Sequence, residues 1–362
     1  MTESTGSSHS LPLIFDGHND VLSRLWEKDT TSPHIDFLNG DGLGHLDLPR
    51  MRSGGFAGGL FAIYVPSHAD EGLPFDAMNS ENGYDLPLPP MLDSASALEI
   101  SLQQAGLLLK IEKASMGAAR LCLSAGEIRQ CIDDSALAMV MHMEGAEAID
   151  TDFNNLEVLY HAGLRSIGPV WSRPTVFGHG VPFRFPGSPD TGDGLTDAGK
   201  ALIRAMNELQ IVIDLSHLNE KGFWDVAAIS DSPLIASHSN AHVLSASTRN
   251  LTDRQLLAIR ESDGLVGVNF ATCFIRADGR MRADTSLDDL LRHVDYLIEM
   301  LGEDRVGFGS DFDGAVVPDA IGDVTGLNTL RSAMSAHGYD SALLEKLCQQ
   351  NWIAALERVF GR

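Results

Sequence analysis

Six side chains of this chain are of the types that a metal ion could share: His18, Asp20, Glu144, His217, His238 and Asp311. Neutral imidazole and carboxylate are the nitrogen and oxygen ligands of zinc, and one catalytic zinc takes three protein ligands and a water. Three imidazoles and three carboxylates therefore suit two divalent ions better than one. The two oxygens of a carboxylate can address different ions, and Glu144 is the candidate for that bridge. His18 and Asp20 stand two apart after the apolar run at residues 11–15, so an extended chain points them the same way. The spacing alone has little specificity, since it recurs at His34/Asp36, His45/Asp47, His68/Asp70 and His293/Asp295. Only the first pair closes a strand-like run.

The apolar pattern supplies the elements that must carry these groups. Strand-like runs occupy residues 11–15, 59–65, 137–143, 166–170, 211–215, 234–236, 265–270 and 305–309. Helical periodicity lies between them, for example at 97–114, 197–209, 253–259, 287–300 and 342–359. Thr252 is placed to cap the helix starting near Asp253, and Gly302 follows the helix ending near Leu301. Eight strand-helix units favour closure into a parallel (β/α)8 TIM barrel over an open doubly wound sheet. In such a barrel the strand ends meet at one mouth, where active sites lie. Run one ends with His18 and Asp20, run three with Glu144, run five with His217, run six with His238 and run eight with Asp311. Any one histidine after an apolar strand can simply bond a carbonyl. Their shared position argues for ligation.

His142, two residues before Glu144, faces the same way one layer deeper and is expected as support behind the ligands. His242 and the histidines at 9, 34, 45, 68, 161, 293 and 337 fall in tail, loop or helix settings and read as ordinary. Other chemistries fit less well. The glycine-rich stretch at 54–59 precedes a strand instead of joining a strand to a helix, which is against a dinucleotide fold. Ser216 and Ser237 each precede a histidine but sit in no G-x-S-x-G elbow. Asp311-Phe312-Asp313-Gly314 imitates only part of a calcium loop. The connections at 66–94 and 172–196 are too long for turns and, following the second and fourth strands, are expected as walls or a lid of the site.

A net charge of −24 opposes binding to nucleic acid or anionic membrane, and no apolar run is long enough to span a bilayer. The four scattered cysteines read as buried, reduced thiols. Residues 1–10 read as a floppy polar tail without a secretory pattern, so a cytoplasmic protein is expected, with 11–362 as one catalytic barrel. A homodimer is left open.

Seven motifs in order, DGHND (16–20), DLPRMRSGG (47–55), MEGAEAI (143–149), IDLSH (213–217), ASHSN (236–240), TRN (248–250) and GSDFDG (309–314), resemble the membrane (renal) dipeptidase family. That family belongs to the amidohydrolase superfamily, and the resemblance spans almost the whole chain. It implies a zinc-dependent dipeptidase, a soluble bacterial-type member. In it two Zn2+ ions share a hydroxide that attacks small dipeptide substrates, with C-terminal D-residues among those to be tried. By motif, His18 and Asp20 match the ligands of one zinc, His217 and His238 those of the other, and Glu144 the bridge. Asp311 matches the group that handles the substrate amine and shuttles a proton, and Arg249 the arginine that pairs with the terminal carboxylate. Where mammalian members have a carbonyl-polarising histidine, this chain has Trp171, which cannot take a proton. His179 or Arg173, in the following loop, is the expected substitute. Other reactions of such a centre, on N-acyl amino acids or lactones, and metal binding without catalysis remain as alternatives.

Overall fold

The computed structural model describes residues 11–67 and 73–361, so the expected tail over residues 1–10 and the reading of His68 lie outside the described residues. Eight parallel strands form the barrel: β1 (Ile14–Asn19), β2 (Phe56–Tyr64), β3 (Leu137–Glu144), β4 (Leu164–Gly168), β5 (Val212–Ile213), β6 (Ile235–Ala236), β7 (Leu265–Asn269) and β8 (Val306–Gly309). Neighbours follow chain order, and β1 returns to β8 through Asp16 and Phe308. The seam between β5 and β6 is closed by a parallel bridge from Asp214 to Ile235 and by the Leu215 N–H donating to the Ile235 carbonyl at 2.8 Å. This is the expected (β/α)8 architecture.

Strand alternation sorts the side chains. Ala138 and Val140 of β3 join Phe15, Leu60, Val212, Ile235 and Leu265 in one apolar cluster, whereas Met139, Met141 and Met143 belong to the larger core shared with the helices. The last helix, Asn351–Phe360, seals the first cluster: Trp352 is fully buried in it and its indole N–H donates to the Phe308 carbonyl at 2.8 Å. Glycines at 17, 267 and 307 make room for that ring, since a Cβ at any of them would come within 3.0 Å of an indole atom.

The helices Ser94–Ala114, Asp197–Glu208, Asp253–Glu261 and Leu287–Leu301 lie where periodicity puts them, with the capping box at Thr252 and Gln255 and with Gly302 as C-cap. The helix expected over 342–359 is instead interrupted by a π-helical turn, Lys346–Gln350, which re-phases the segment before Trp352. The first strand is displaced from 11–15, so His18 lies inside it, beside a register irregularity between Asp16 and Asn19. A short strand, Ala119–Leu121, pairs with the start of β3 and has no counterpart in the sequence reading. The two long connections meet each other: Tyr84–Asp85 and Arg184–Phe185 form a two-residue antiparallel ladder.

Candidate metal centre

Glu144 ends β3 at the barrel mouth, where the other strands deliver imidazoles to it. Its Oε1 lies 3.0 Å from His217 Nε2, 3.4 Å from His238 Nε2 and 3.6 Å from His18 Nε2. His18 Nε2 is also 3.3 Å from Asp20 Oδ2. Two ligands that share one tetrahedral ion at the usual zinc distances stand about 3.3 Å apart, so these separations are those of a ligand shell. The ligand atoms of His18, Glu144 and His238 fall within 4.8 Å of one another, as do those of His18, Asp20 and Asp311. Both ring nitrogens of His18 are buried without a hydrogen bond, an orphaned state that a cation would relieve. The donor set fits divalent metal.

Serines behind the ligands orient two of the rings. Ser172 Oγ lies 2.8 Å from His217 Nδ1, and Ser237 Oγ lies 2.7 Å from His238 Nδ1. Asp214, just past β5, accepts from the Ser216 and Ser237 N–H groups at 3.0 and 2.8 Å and from Ser237 Oγ at 2.5 Å. His142 lies beneath Glu144, with Nδ1 2.9 Å from Ser166 Oγ and Nε2 3.6 Å from Asp214 Oδ2. His217 and Asp311 both adopt left-handed backbone, φ 68° and 59°, a costly conformation found where a site dictates side-chain direction.

The electrostatics favour a cation. Burial pushes His217 and His238 well below the ordinary imidazole value, leaving both neutral and able to coordinate. Burial also opposes charge on His18, but Glu144, Asp20 and Asp311 overcome it and raise its pKa to about 10. Burial, aided by repulsion from Asp20, lifts Glu144 and Asp311. A metal-free cluster therefore holds protons that a divalent ion would displace.

A cavity of about 510 Å3 opens above these groups, lined by Asp20, Glu144, His217 and Asp311 and walled by Tyr64, Trp171, Phe183 and Phe274. Trp171 is in place as a wall, its ring centroid 5.1 Å from Tyr64 and 5.8 Å from His217. Arg249 is buried beside the cavity, 5.3 Å from the Phe274 ring centroid, with Nη2 donating to the His238 carbonyl at 3.1 Å and Nε unpartnered. His179 is placed beside Gly192, its carbonyl accepting from Asn219 N–H at 3.4 Å, and is not among the residues that line the cavity. The Arg173 guanidinium is taken up in the interior by Glu147, Val65 O and Ser67 Oγ at 2.7 to 3.0 Å. The sequence singles out no role for Asp214, Ser172 or Asn269, the last donating to Asp311 Oδ2 at 2.9 Å, and weighs Ser237 only as a nucleophile. For Asp214 the only signal was its place in IDLSH.

Barrel and mouth together have the make-up of a metal-dependent hydrolase. The family model described as membrane dipeptidase, peptidase family M19, matches residues 9–360. The chain belongs to that family and is a metal-dependent dipeptidase. It is 57% identical, with a TM-score of 0.94, to a metallopeptidase from Rhodobacter sphaeroides liganded with a phosphinate mimic of the dipeptide L-Ala-D-Ala, over 97% of this chain and 100% of that one. It is 56% identical, with a TM-score of 0.92, to dipeptidase AC, a metallopeptidase of family M19, over 98% of this chain and 100% of that one. An uncharacterized Klebsiella pneumoniae protein from the pqqA 5′ region is 52% identical over 263 residues, 73% of this chain and 97% of its own length. No helix among the described residues is long and apolar enough to cross a membrane.

Proposed function

We propose that residues 11–362 form one catalytic unit that hydrolyses dipeptides with two zinc ions held by His18, Asp20, Glu144, His217 and His238. The observation that carries this reading is the convergence of three imidazole nitrogens on Glu144 Oε1 at 3.0 to 3.6 Å, with Asp20 and Asp311 alongside. Zinc bound there supplies Lewis acidity and a water acidic enough to react at neutral pH. Asp311 does the proton work: held by Asn269 and lifted by burial, it takes a proton from the attacking water and returns it to the leaving amine nitrogen. Arg249 turns its free Nε to the terminal carboxylate, which confines the substrate to short peptides. Trp171 closes the wall without acid-base function. The L-Ala-D-Ala mimic bound by the Rhodobacter relative supports acceptance of a C-terminal D-residue.

Protein purified without chelator is expected to carry about two zinc ions per chain and to cleave dipeptides of either C-terminal configuration in preference to N-acyl amino acids. Glu144→Gln should lose metal and activity together. Asp311→Asn should keep its metal while turnover falls by roughly 100-fold or more. Full activity in the metal-free protein, or wild-type turnover in Asp311→Asn, would refute these roles.

A further inference from the structure

The cavity has two unlike walls. On one, the rings of Trp171 and Phe183 meet edge to face at 5.6 Å, and Phe183 stacks on Phe274 at 6.1 Å. The Arg249 guanidinium lies 5.3 Å from the Phe274 ring centroid with its buried Nε unpartnered, so on the reading above the carboxylate end of a bound dipeptide falls on this aromatic side. On the other wall Gly314 packs against Asp20 and Asp311, the latter given the amine in the reading above, so closely that a Cβ there would stand 2.1 Å from Asp20 Oδ2 and 2.6 Å from Asp311 Oδ1. That wall continues through Ser23, Arg24, Glu27 and Asp313.

Its charges are mostly spoken for. Arg24 Nε donates to Asp313 Oδ2 at 2.9 Å and Nη2 to the Leu46 carbonyl at 2.6 Å, while Lys28 pairs with Asp36 and Asp41 at 2.6 and 3.0 Å. Glu27 is exposed at the rim and, among the described residues, its carboxylate has neither an ion-pair nor a hydrogen-bond partner. It is the unbalanced charge of the amine-side wall.

We propose that Glu27 selects a basic side chain on the amino-terminal residue of the dipeptide, while the aromatic wall takes an apolar side chain on the carboxy-terminal residue. The assignment rests on the dipeptidase reading above. A solvent-facing ion pair of this kind changes a specificity ratio by roughly two- to fivefold, and salt weakens it.

The test compares kcat/KM for Lys-Ala, Ala-Ala and Glu-Ala with the metal-loaded wild type, Glu27→Gln and Glu27→Lys, at low and high salt. The wild type should favour Lys-Ala over Ala-Ala by roughly two- to fivefold at low salt and less at high salt. Glu27→Gln should bring the ratio to about one, and Glu27→Lys should shift the preference to Glu-Ala. With the amino-terminal residue fixed, Ala-Phe should be cleaved better than Ala-Asp. Identical ratios in all three proteins would overturn the role of Glu27, and a preference for Ala-Asp would overturn that of the aromatic wall. If none of these dipeptides is cleaved, the dipeptidase reading itself has failed, and the selection falls with it.

Discussion

Ser237 shows how much of a metal ligand's behaviour is decided one bond away from it. A hydroxyl has one proton, and Ser237 gives it to Asp214 Oδ2 at 2.5 Å. At 2.7 Å its oxygen must then accept from His238 Nδ1–H, which leaves the Nε2 lone pair facing Glu144, free for a metal ion. Ser237→Ala removes this lock without disturbing the apolar core. Metal affinity, measured by competition with a chelator, should fall by about 10- to 100-fold, while the metal-free protein loses roughly the 1–3 kcal/mol of the Asp214 hydrogen bond. Wild-type affinity would show that the ring needs no such partner. This support was invisible in the sequence, where Ser216 and Ser237 registered only as serines lacking a nucleophile elbow. The relation of Ser237 to Asp214 depends on how the ends of β5 and β6 meet, and no one-dimensional period encodes that. The clustering of His18, Glu144, His217 and His238 was legible because each follows or ends an apolar run, a local feature.

At the scale of elements, the same contrast holds between strands and connections. All eight runs became barrel strands because continuous apolar stretches are what a sheet buried on both faces requires. Their ends drifted: β5 and β6 are two residues each, and β1 extends to Asn19 because pairing with β2 and β8, not polarity, decides where a strand stops. The two long connections read as walls, and so they are, with Phe75, Met78 and Phe183 facing the cavity. Their mutual ladder was not readable, since it joins residues a hundred apart through only two pairs, Tyr84 with Phe185 and Asp85 with Arg184. Gly83 makes that ladder possible: its φ is +81°, and a Cβ would stand 2.2 Å from the Phe185 carbonyl oxygen. Gly83→Val adds strain and a clash worth roughly 1–3 kcal/mol and should push the two connections apart. The expected outcome is a KM raised by about tenfold with zinc content unchanged, and an unaltered KM would mean that the ladder does not shape the substrate wall.

Across the whole molecule, the barrel is two stacked compartments. Its floor is apolar and plugged by Trp352, while its mouth gathers carboxylates in a chain of net charge −24. Such a mouth is unfavourable until positive charge enters it, and in the metal-free protein that charge is protons, foremost the one on His18, whose pKa is raised from 6.5 to about 10. A folded-state pKa above the unfolded value contributes stability that is fully present below pH 6.5 and is lost as pH rises through 10. A divalent ion held by His18 would need the neutral imidazole and so displace this proton, and its affinity would rise over the same window. Chelator-treated protein should therefore melt at progressively lower temperature between pH 6.5 and 10, while the metal-loaded protein holds steady and the gap between them widens. Isothermal titration in buffers of different ionisation enthalpy should register proton release on metal binding near neutral pH. A gap independent of pH, with no protons released, would mean that His18 is neutral before the ion arrives and that charge at the mouth is balanced elsewhere in the fold.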